Sequence, residues 1–291
     1  MIDLVQINAA PPSRSAASWT AKDVQLYNLA IGAARDPLDE QQLTFALEDR
    51  LVALPTFAVI AGMAGAGPAM ATPGLDFERA KMLHGSQSIV LDRPVPVAAD
   101  VESVGRVAAV YDKGSAAVAV LEVETFDQAG VRLFTNTFTM FLRDAGGFGG
   151  DPGPRLPPAS HDRPADRQST VIVEPNQALL YRLCGDTNPL HADPAFAQRA
   201  GFPRPILHGL CTWGMTCREL IMGLLDGDAA AVRSWDARFV DVVYPGETLQ
   251  VSAWVEPNGI EVEVRSLERD SVVLAGGRLT TSTAATLGEP G

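Results

Sequence analysis

The same order of signals occurs twice along this chain, once on either side of a Gly- and Pro-rich stretch at residues 144–169. Each copy opens with a short amphipathic helix carrying a Tyr-x-Leu step. The first is Asp23-Val24-Gln25-Leu26-Tyr27-Asn28-Leu29 and the second is Gln177-Ala178-Leu179-Leu180-Tyr181-Arg182-Leu183. A Leu-His-Gly triplet follows in both, as Leu83-His84-Gly85 and Leu207-His208-Gly209. Each copy then closes on alternating apolar and polar runs, at 99–110, 115–126 and 131–143, and again at 247–256, 260–268 and 271–283. Asp112-Lys113-Gly114 and Pro257-Asn258-Gly259 supply hairpin turns at matching places. Short matches arise by chance, but their shared order predicts a duplicated α+β unit. The expected boundaries are 1–145 for the first unit, 146–168 for an extended surface linker and 169–291 for the second unit.

Charge narrows the partners. The net charge is −12, and only Lys22, Lys81 and Lys113 are lysines among 23 cations. Such a surface repels phosphate backbones, so nucleic acid and anionic membranes are excluded as default partners. The three cysteines, Cys184, Cys211 and Cys217, are odd in number and fall in one half, which fits reduced thiols in a cytoplasmic setting. Met1-Ile2-Asp3-Leu4 lacks the basic start and apolar run of a signal peptide. Residues 51–75 carry no charge, yet Pro55, Pro68 and Pro73 and several glycines argue against a membrane helix. A buried strand followed by a small-residue loop is the expectation there, with no membrane insertion.

Two segments can carry chemistry. After Gly209 comes the most apolar helix of the chain, with Leu210, Trp213, Met215, Cys217, Leu220, Ile221, Leu224 and Leu225. It should be buried, wrapped by the strands that follow. Its start has no good side-chain cap, and free N–H groups there suit developing negative charge. Before it, a helix ends at Gly185 and a polar turn places Asp186, Asn188 and His191 around Pro189 and Leu190. An Asp and a His on one rigid loop can share a water, one taking a proton and the other giving one. Taken alone, the same residues also read as a capping Asp and a surface His.

The string Tyr181-x-Leu183-Cys184-Gly185-Asp186-x-Asn188-Pro189-Leu190-His191, continuing to Ala197, resembles the hydratase 2 signature of the MaoC-like dehydratase family. The resemblance runs on through Pro205-Ile206-Leu207-His208-Gly209-Leu210-Cys211-Thr212, Ala237-Arg238-Phe239-Val240 and Tyr244-Pro245-Gly246-Glu247-Thr248-Leu249. It also covers the first half, at Lys22-Asp23-Val24, Leu54-Pro55-Thr56-Phe57, Leu83-His84-Gly85 and Tyr111-Asp112-Lys113-Gly114. The whole is similar to the hydratase part of peroxisomal multifunctional enzymes.

The resemblance implies an α+β double hot-dog fold, each half a curved antiparallel sheet around a central helix. It implies reversible addition of water to trans-2-enoyl-CoA, giving (3R)-3-hydroxyacyl-CoA, within fatty acid metabolism and β-oxidation. No metal or redox cofactor is implied, and a homodimer is. Asp186 and His191 become the catalytic dyad, with Gly209 offering its N–H to the thioester oxygen and Asn188 orienting the loop or the dyad. CoA and acyl contacts map onto His84, Gly85, Lys113 and Phe239. Each of these has an ordinary structural reading too: a core histidine, a solvated turn lysine, a core strand phenylalanine. His208 is expected to satisfy backbone at the helix start, and His161 to have no role. The cysteines are read as small buried apolar groups, without metal-ligand spacing.

The first half has no Asp/His pair at the matching place, where Ala33, Ala34 and Arg35 stand, so one site per chain is expected. That half is then free to shape the acyl pocket, and the small residues 61–67 are expected to leave room for a bulky chain. A hot-dog acyl-CoA thioesterase and a non-catalytic acyl-CoA-binding subunit are the competing readings.

Overall fold

Ten strands pair antiparallel into one sheet, with helices packed on one side of it. The structure is a computed structural model and describes residues 2–155 and 161–282. The first half contains α1 (Leu4–Ala9), β1 (Ser13–Trp19), α2 (Ala21–Ala30), α3 (Glu40–Leu43), α4 (Ala58–Met70), β2 (Met82–Leu91), β3 (Ala99–Asp112), β4 (Ala116–Asp127) and β5 (Arg132–Arg143). The second contains β6 (Arg167–Ile172), α5 (Gln177–Tyr181), α6 (Pro194–Arg199), α7 (Gly209–Leu224), β7 (Val232–Phe239), β8 (Thr248–Glu256), β9 (Gly259–Ser266) and β10 (Ser271–Thr281).

The spatial order β1-β3-β4-β5-β2-β7-β10-β9-β8-β6 reads the same from both ends once β1 is matched to β6, β3 to β8 and so on. Duplication is thus written into the sheet. The halves meet where β2 pairs with β7, from Ser86↔Arg238 to Val90↔Ser234. In each half the sheet curves around a helix: β1, β3, β4 and β5 around α4, and β6, β7 and β8 around α7. This is the double hot-dog expected. Alternation builds it, since in β4 every second residue from Ala117 to Thr125 is fully buried. Helix α7 is buried on nearly all sides, with Trp213, Met215, Cys217 and Ile221 at 0% exposure. The strands begin and end close to the predicted places, and the two matched turns are the β3–β4 and β8–β9 hairpins. Thr283, the last residue expected in β10, lies outside the described residues.

Two expectations need correction. Residues 58–70 form α4, the central helix of the first half, and not a strand and loop. Of the three prolines, only Pro68 is inside the helix, in its last turn; Pro55 opens the preceding turn and Pro73 follows the end. The glycines are there for proximity. A Cβ on Gly62 would run into the Asn136 side chain, one on Gly65 would sit 2.6 Å from Val123 Cγ1, and one on Gly105 of β3 would strike the Gly65 carbonyl. The helix lies almost directly on the sheet, and the space these residues save is already filled. The expected room lies elsewhere on the run, where Ala61 and Ala64 line a cavity with Phe57, Ile60 and Leu183.

The Leu-His-Gly repeat is the second correction. Leu83-His84-Gly85 lies within β2, whereas Leu207-His208-Gly209 leads into α7. The element equivalent to α7 is α4, entered through the turn Pro55–Phe57. Tyr27 and Tyr181, by contrast, do occupy matching helices and meet at the seam, ring centroids 6.0 Å apart.

Much of the stretch expected as linker is tied down. Asp112 accepts the N–H groups of Gly147 and Gly149 at 2.9 and 2.8 Å, so the segment's start is held on the β3–β4 turn. At its far end Arg163 bonds Asp166, Glu256 and the Val255 carbonyl, and His161 stacks on Trp254 at 3.5 Å, beside the equivalent β8–β9 turn. Strand β6 begins at Arg167, inside the expected linker, and residues 156–160 lie outside the described residues. No helix among the described residues is long and apolar enough to cross a membrane.

Candidate active site

The site is assembled where α5 stops and α7 starts. Helix α5 passes into a 3-10 turn, Arg182–Cys184, which Gly185 ends at φ 122°, a conformation that favours glycine. The chain then turns on its own side chains. Asp186 Oδ1 accepts the Asn188 N–H at 3.1 Å, and Asn188 Oδ1 accepts the Leu190 N–H at 3.1 Å. Asn188 is exposed and its contacts are to the loop. A second 3-10 turn, Pro189–His191, delivers the histidine.

His191 Nδ1 lies 2.9 Å from the Ile206 carbonyl. A carbonyl only accepts, so Nδ1 carries the proton and Nε2 of the neutral ring keeps its lone pair. Burial lowers the His191 pKa, outweighing the opposite pulls of the Ile206 bond and the Asp186 charge. His208 Nε2 likewise donates to the main-chain carbonyl of Asp186, at 3.1 Å. Burial and the neighbouring His191 push the His208 pKa down to about 4. The two imidazoles stack with centroids 3.8 Å apart and planes 28° apart. One ligating atom from each of Asp186, His191 and His208 lies within 4.8 Å of the others. These are the residue types of a metal site, but the ring planes lie side by side. In-plane lone pairs of stacked rings do not converge on one ion at the roughly 2.0–2.1 Å that zinc requires.

Helix α7 brings the third component. The first bonds of the helix run from the Cys211 and Thr212 N–H groups to the His208 carbonyl, leaving the Gly209 and Leu210 amides outside the ladder. Gly209 is exposed while Leu210 is buried, so the tip of this otherwise buried helix reaches the surface. A side chain at 209 would meet the Phe239 ring at 3.0 Å. Phe239, the last residue of β7, also packs edge-on against His84, at 4.9 Å and 62°.

His84 therefore belongs to the same cluster, and the Asp186 charge acts on it. Its Nε2 donates to the Ser86 carbonyl at 3.0 Å, and burial pushes its pKa down to about 4. Gly85 marks the irregularity between β2 and β5, with a Cβ there 3.3 Å from the Thr139 carbonyl. Lys113 is not brought in. It sits in the β3–β4 turn with β4 and β5 between it and β2, and its ammonium donates to the Pro152 carbonyl over the Tyr111 ring. Cys211 and Cys217 are buried and Cys184 half-buried; burial pushes the Cys184 thiol up to about 12, far from a reactive thiolate.

A cavity of about 230 Å³ opens beside the dyad loop, lined by Trp19, Leu26, Phe57, Ile60, Ala64 and Leu183 among others. All but Leu183 of these come from the first half. A larger concavity, about 860 Å³, lies on the outer face of β1, β3 and β4; neither cavity is lined by Asp186 or His191, but the smaller one reaches Cys184, two residues before Asp186. Sequence reasoning missed the Ile206 carbonyl that fixes the His191 tautomer, although Pro205-Ile206-Leu207-His208 was part of the matching motif.

Comparison with known proteins follows the same halves. The MFE-2 hydratase 2 N-terminal domain matches residues 18–144 and the MaoC like domain matches residues 158–280. Enoyl-CoA hydratase ChsH3 of Mycobacterium tuberculosis is 44% identical, over 89% of this chain and 92% of its own length. The peroxisomal enoyl-CoA hydratase 2 of Arabidopsis thaliana is 38% identical over 94% of this chain and 93% of its own. A solved MaoC-like dehydratase from Phytophthora capsici superposes with a TM-score of 0.86 at 29% identity, covering 97% of this chain and 99% of that one. Two matched halves and these full-length relatives make one conclusion plain: the chain belongs to the hydratase 2 family of MaoC-like dehydratases.

Proposed function

We propose that this protein reversibly hydrates trans-2-enoyl-CoA to (3R)-3-hydroxyacyl-CoA. The observation that carries the chemistry is the pairing of a neutral His191, its Nε2 lone pair free, with the Asp186 carboxylate on one rigid loop beside the open tip of α7. Water attacks the β-carbon only when the thioester carbonyl withdraws electrons, so negative charge grows on that oxygen. The Gly209 N–H, at the positive end of α7, is placed to stabilise it; losing one such donor costs about 3 kcal/mol. A water bonded to both Asp186 and His191 loses a proton to the pair as its oxygen joins the β-carbon. The pair returns a proton to the α-carbon on the same face, so one water is added and the dyad is restored.

His84, Gly85 and Phe239 then border the thioester, and Lys113 contacts a CoA phosphate only by leaving the Pro152 carbonyl. The cavity lined by Trp19, Phe57 and Ile60 takes the acyl chain, giving the first half its part in the reaction. A bound chain touching no residue of that half would remove this assignment. We further propose a homodimer that works in the cytoplasm without metal or redox cofactor.

The test is loss of enoyl absorbance with short- and medium-chain trans-2-enoyl-CoA, with product configuration determined and free CoA measured alongside. Formation of (3R) product, abolished in Asp186→Asn, is expected. Release of CoA would point to a thioesterase, and (3S) product would overturn the stereochemical assignment.

A further inference from the structure

We infer that His208 is a positioning residue for the hydration, held in its working tautomer by water bound in a buried polar chamber that both halves build. The inference rests on Asp186 being catalytic, as proposed above.

His208 is 1% exposed and touches both members of the dyad, through its bond to the Asp186 carbonyl and its stacking on His191. With the proton on Nε2, the neutral ring offers a lone pair at Nδ1, and that atom is buried without a protein donor. It is not alone. The hydroxyls of Tyr181 and Thr212 are also buried and complete no hydrogen bond with the protein, while the buried Tyr27 and Thr56 hydroxyls are within reach only of each other.

The side chains that carry these atoms are neighbours. The Tyr181 ring lies 4.9 Å from His208, and the Tyr27 ring 6.0 Å from Tyr181. The Thr56 hydroxyl stands beside the Tyr27 phenol, whose oxygen in turn lies against α7 at Gly214. Thr212 follows His208 by one turn of α7. Tyr27 and Thr56 come from the first half, the other three groups from the second.

Three unmatched polar atoms beside a Tyr27–Thr56 pair left with spare bonding capacity would be costly in a dry region, and buried polar groups in folded proteins are almost always satisfied. Water, with two donors and two acceptors, satisfies such a set and needs only two to four polar partners to stay. A donor at Nδ1 selects the Nε2–H tautomer. The opposite tautomer would turn a lone pair on the Asp186 carbonyl and release the dyad loop. The half that lacks a dyad of its own thus acts on the chemistry, through two hydroxyls.

Tyr181→Phe and Thr212→Val, singly and together, separate this from plain packing. A dry chamber predicts that losing an unmatched hydroxyl raises the melting temperature and leaves kcat unchanged; that result overturns the inference. A wet chamber predicts a fall of about 2–4 °C in the single variants. It also predicts kcat down about 10-fold or more with KM held. With only four histidines in the chain, the ¹⁵N signals of His208 can be assigned. They should report Nε2–H with a hydrogen-bonded Nδ1 in the native protein, and an unbonded Nδ1 in the double variant; an Nδ1–H form in the native protein refutes the proposal. His208→Gln, which keeps a donor for the Asp186 carbonyl, should retain at least 10-fold more activity than His208→Leu. The nitrogen signals and melting temperatures test the chamber even if Asp186→Asn stays active, which would instead remove the catalytic reading on which the positioning role rests.

Discussion

A histidine accepts a proton from water only while it is neutral, and burial keeps His191 neutral to lower pH than the ordinary value of 6.5. The acid limb of the pH–rate profile is therefore expected below 6.5, with a plateau above it; a limb centred above 7 would show that another group controls the rate. Stability has its own pH dependence. His84 and His208 titrate at about 4 in the folded chain, so between 6.5 and 4 the unfolded chain binds protons that the folded chain does not. Stability from these two residues is full above 6.5 and is lost as pH falls toward 4. Asp236, half-buried on β7, has the opposite sign. Burial pushes its carboxyl up to about 6 from an ordinary 3.8, so the folded chain takes up its proton first and gains stability as pH falls through that window. Asp236→Asn should then stabilise the protein by about 1–2 kcal/mol at pH 8 and make its acid unfolding steeper, as read by denaturant titration at pH 8, 6 and 4.5. An unchanged midpoint at pH 8 would mean that the carboxylate is well solvated.

Helix α4 and the sheet are in contact through glycine, and the contact is least forgiving at Gly105. There the obstacle to a Cβ is the Gly65 carbonyl, main chain that cannot rotate away, whereas at Gly65 it is the Val123 side chain. Gly105→Ala should cost about 2–4 kcal/mol and more than Gly65→Ala, measured by urea unfolding. The same contact explains what the sequence hid. Strand periodicity needs only neighbours two apart, so β3, β4, β5, β8, β9 and β10 were legible almost to the residue. Helix α7 was legible because its large side chains fill its surroundings. Helix α4 was not, because its side chains are absent where the strands press on it: a helix that gives up volume to come close carries no amphipathic stripe. At the site, Asp186 and His191 could be picked out because they share one short motif, and Gly209 because it opens an apolar helix without a side-chain cap. The Leu-His-Gly pair misled because three residues matched in identity while sitting in different elements. The buried hydroxyls around His208 were invisible, being brought together by the seam and not by spacing.

At the scale of the whole molecule the two halves share more than the β2–β7 pairing. Gln177 of the second half donates to the Ala30 carbonyl of the first, the Cys211 thiol reaches the same carbonyl at 3.7 Å, and Arg35 donates to the Ile172 carbonyl at 2.6 Å. Separating the halves would expose Tyr27, Tyr181 and Ile31, all fully buried, together with the unpaired edges of β2 and β7. Expressed alone, the second half should therefore bear the dyad yet show no hydration and little soluble material. Activity should return when the first half is co-expressed. A soluble, active second half would show that the seam is dispensable.

That seam has a further consequence, for how the protein behaves in a crowded solution. Two five-stranded sheets standing apart would present four open edges, each a row of unpaired amides on which a strand of another molecule could grow. Joined through β2 and β7 they present two, β1 and β6. Both are short, and most of each is small or polar, Ser13-Arg14-Ser15-Ala16 on one side and Arg167-Gln168-Ser169-Thr170 on the other, with Trp19 and Val171-Ile172 only at their ends. Fusion doubled the interior of this molecule and left the number of places where fibrils could be seeded at that of a single unit.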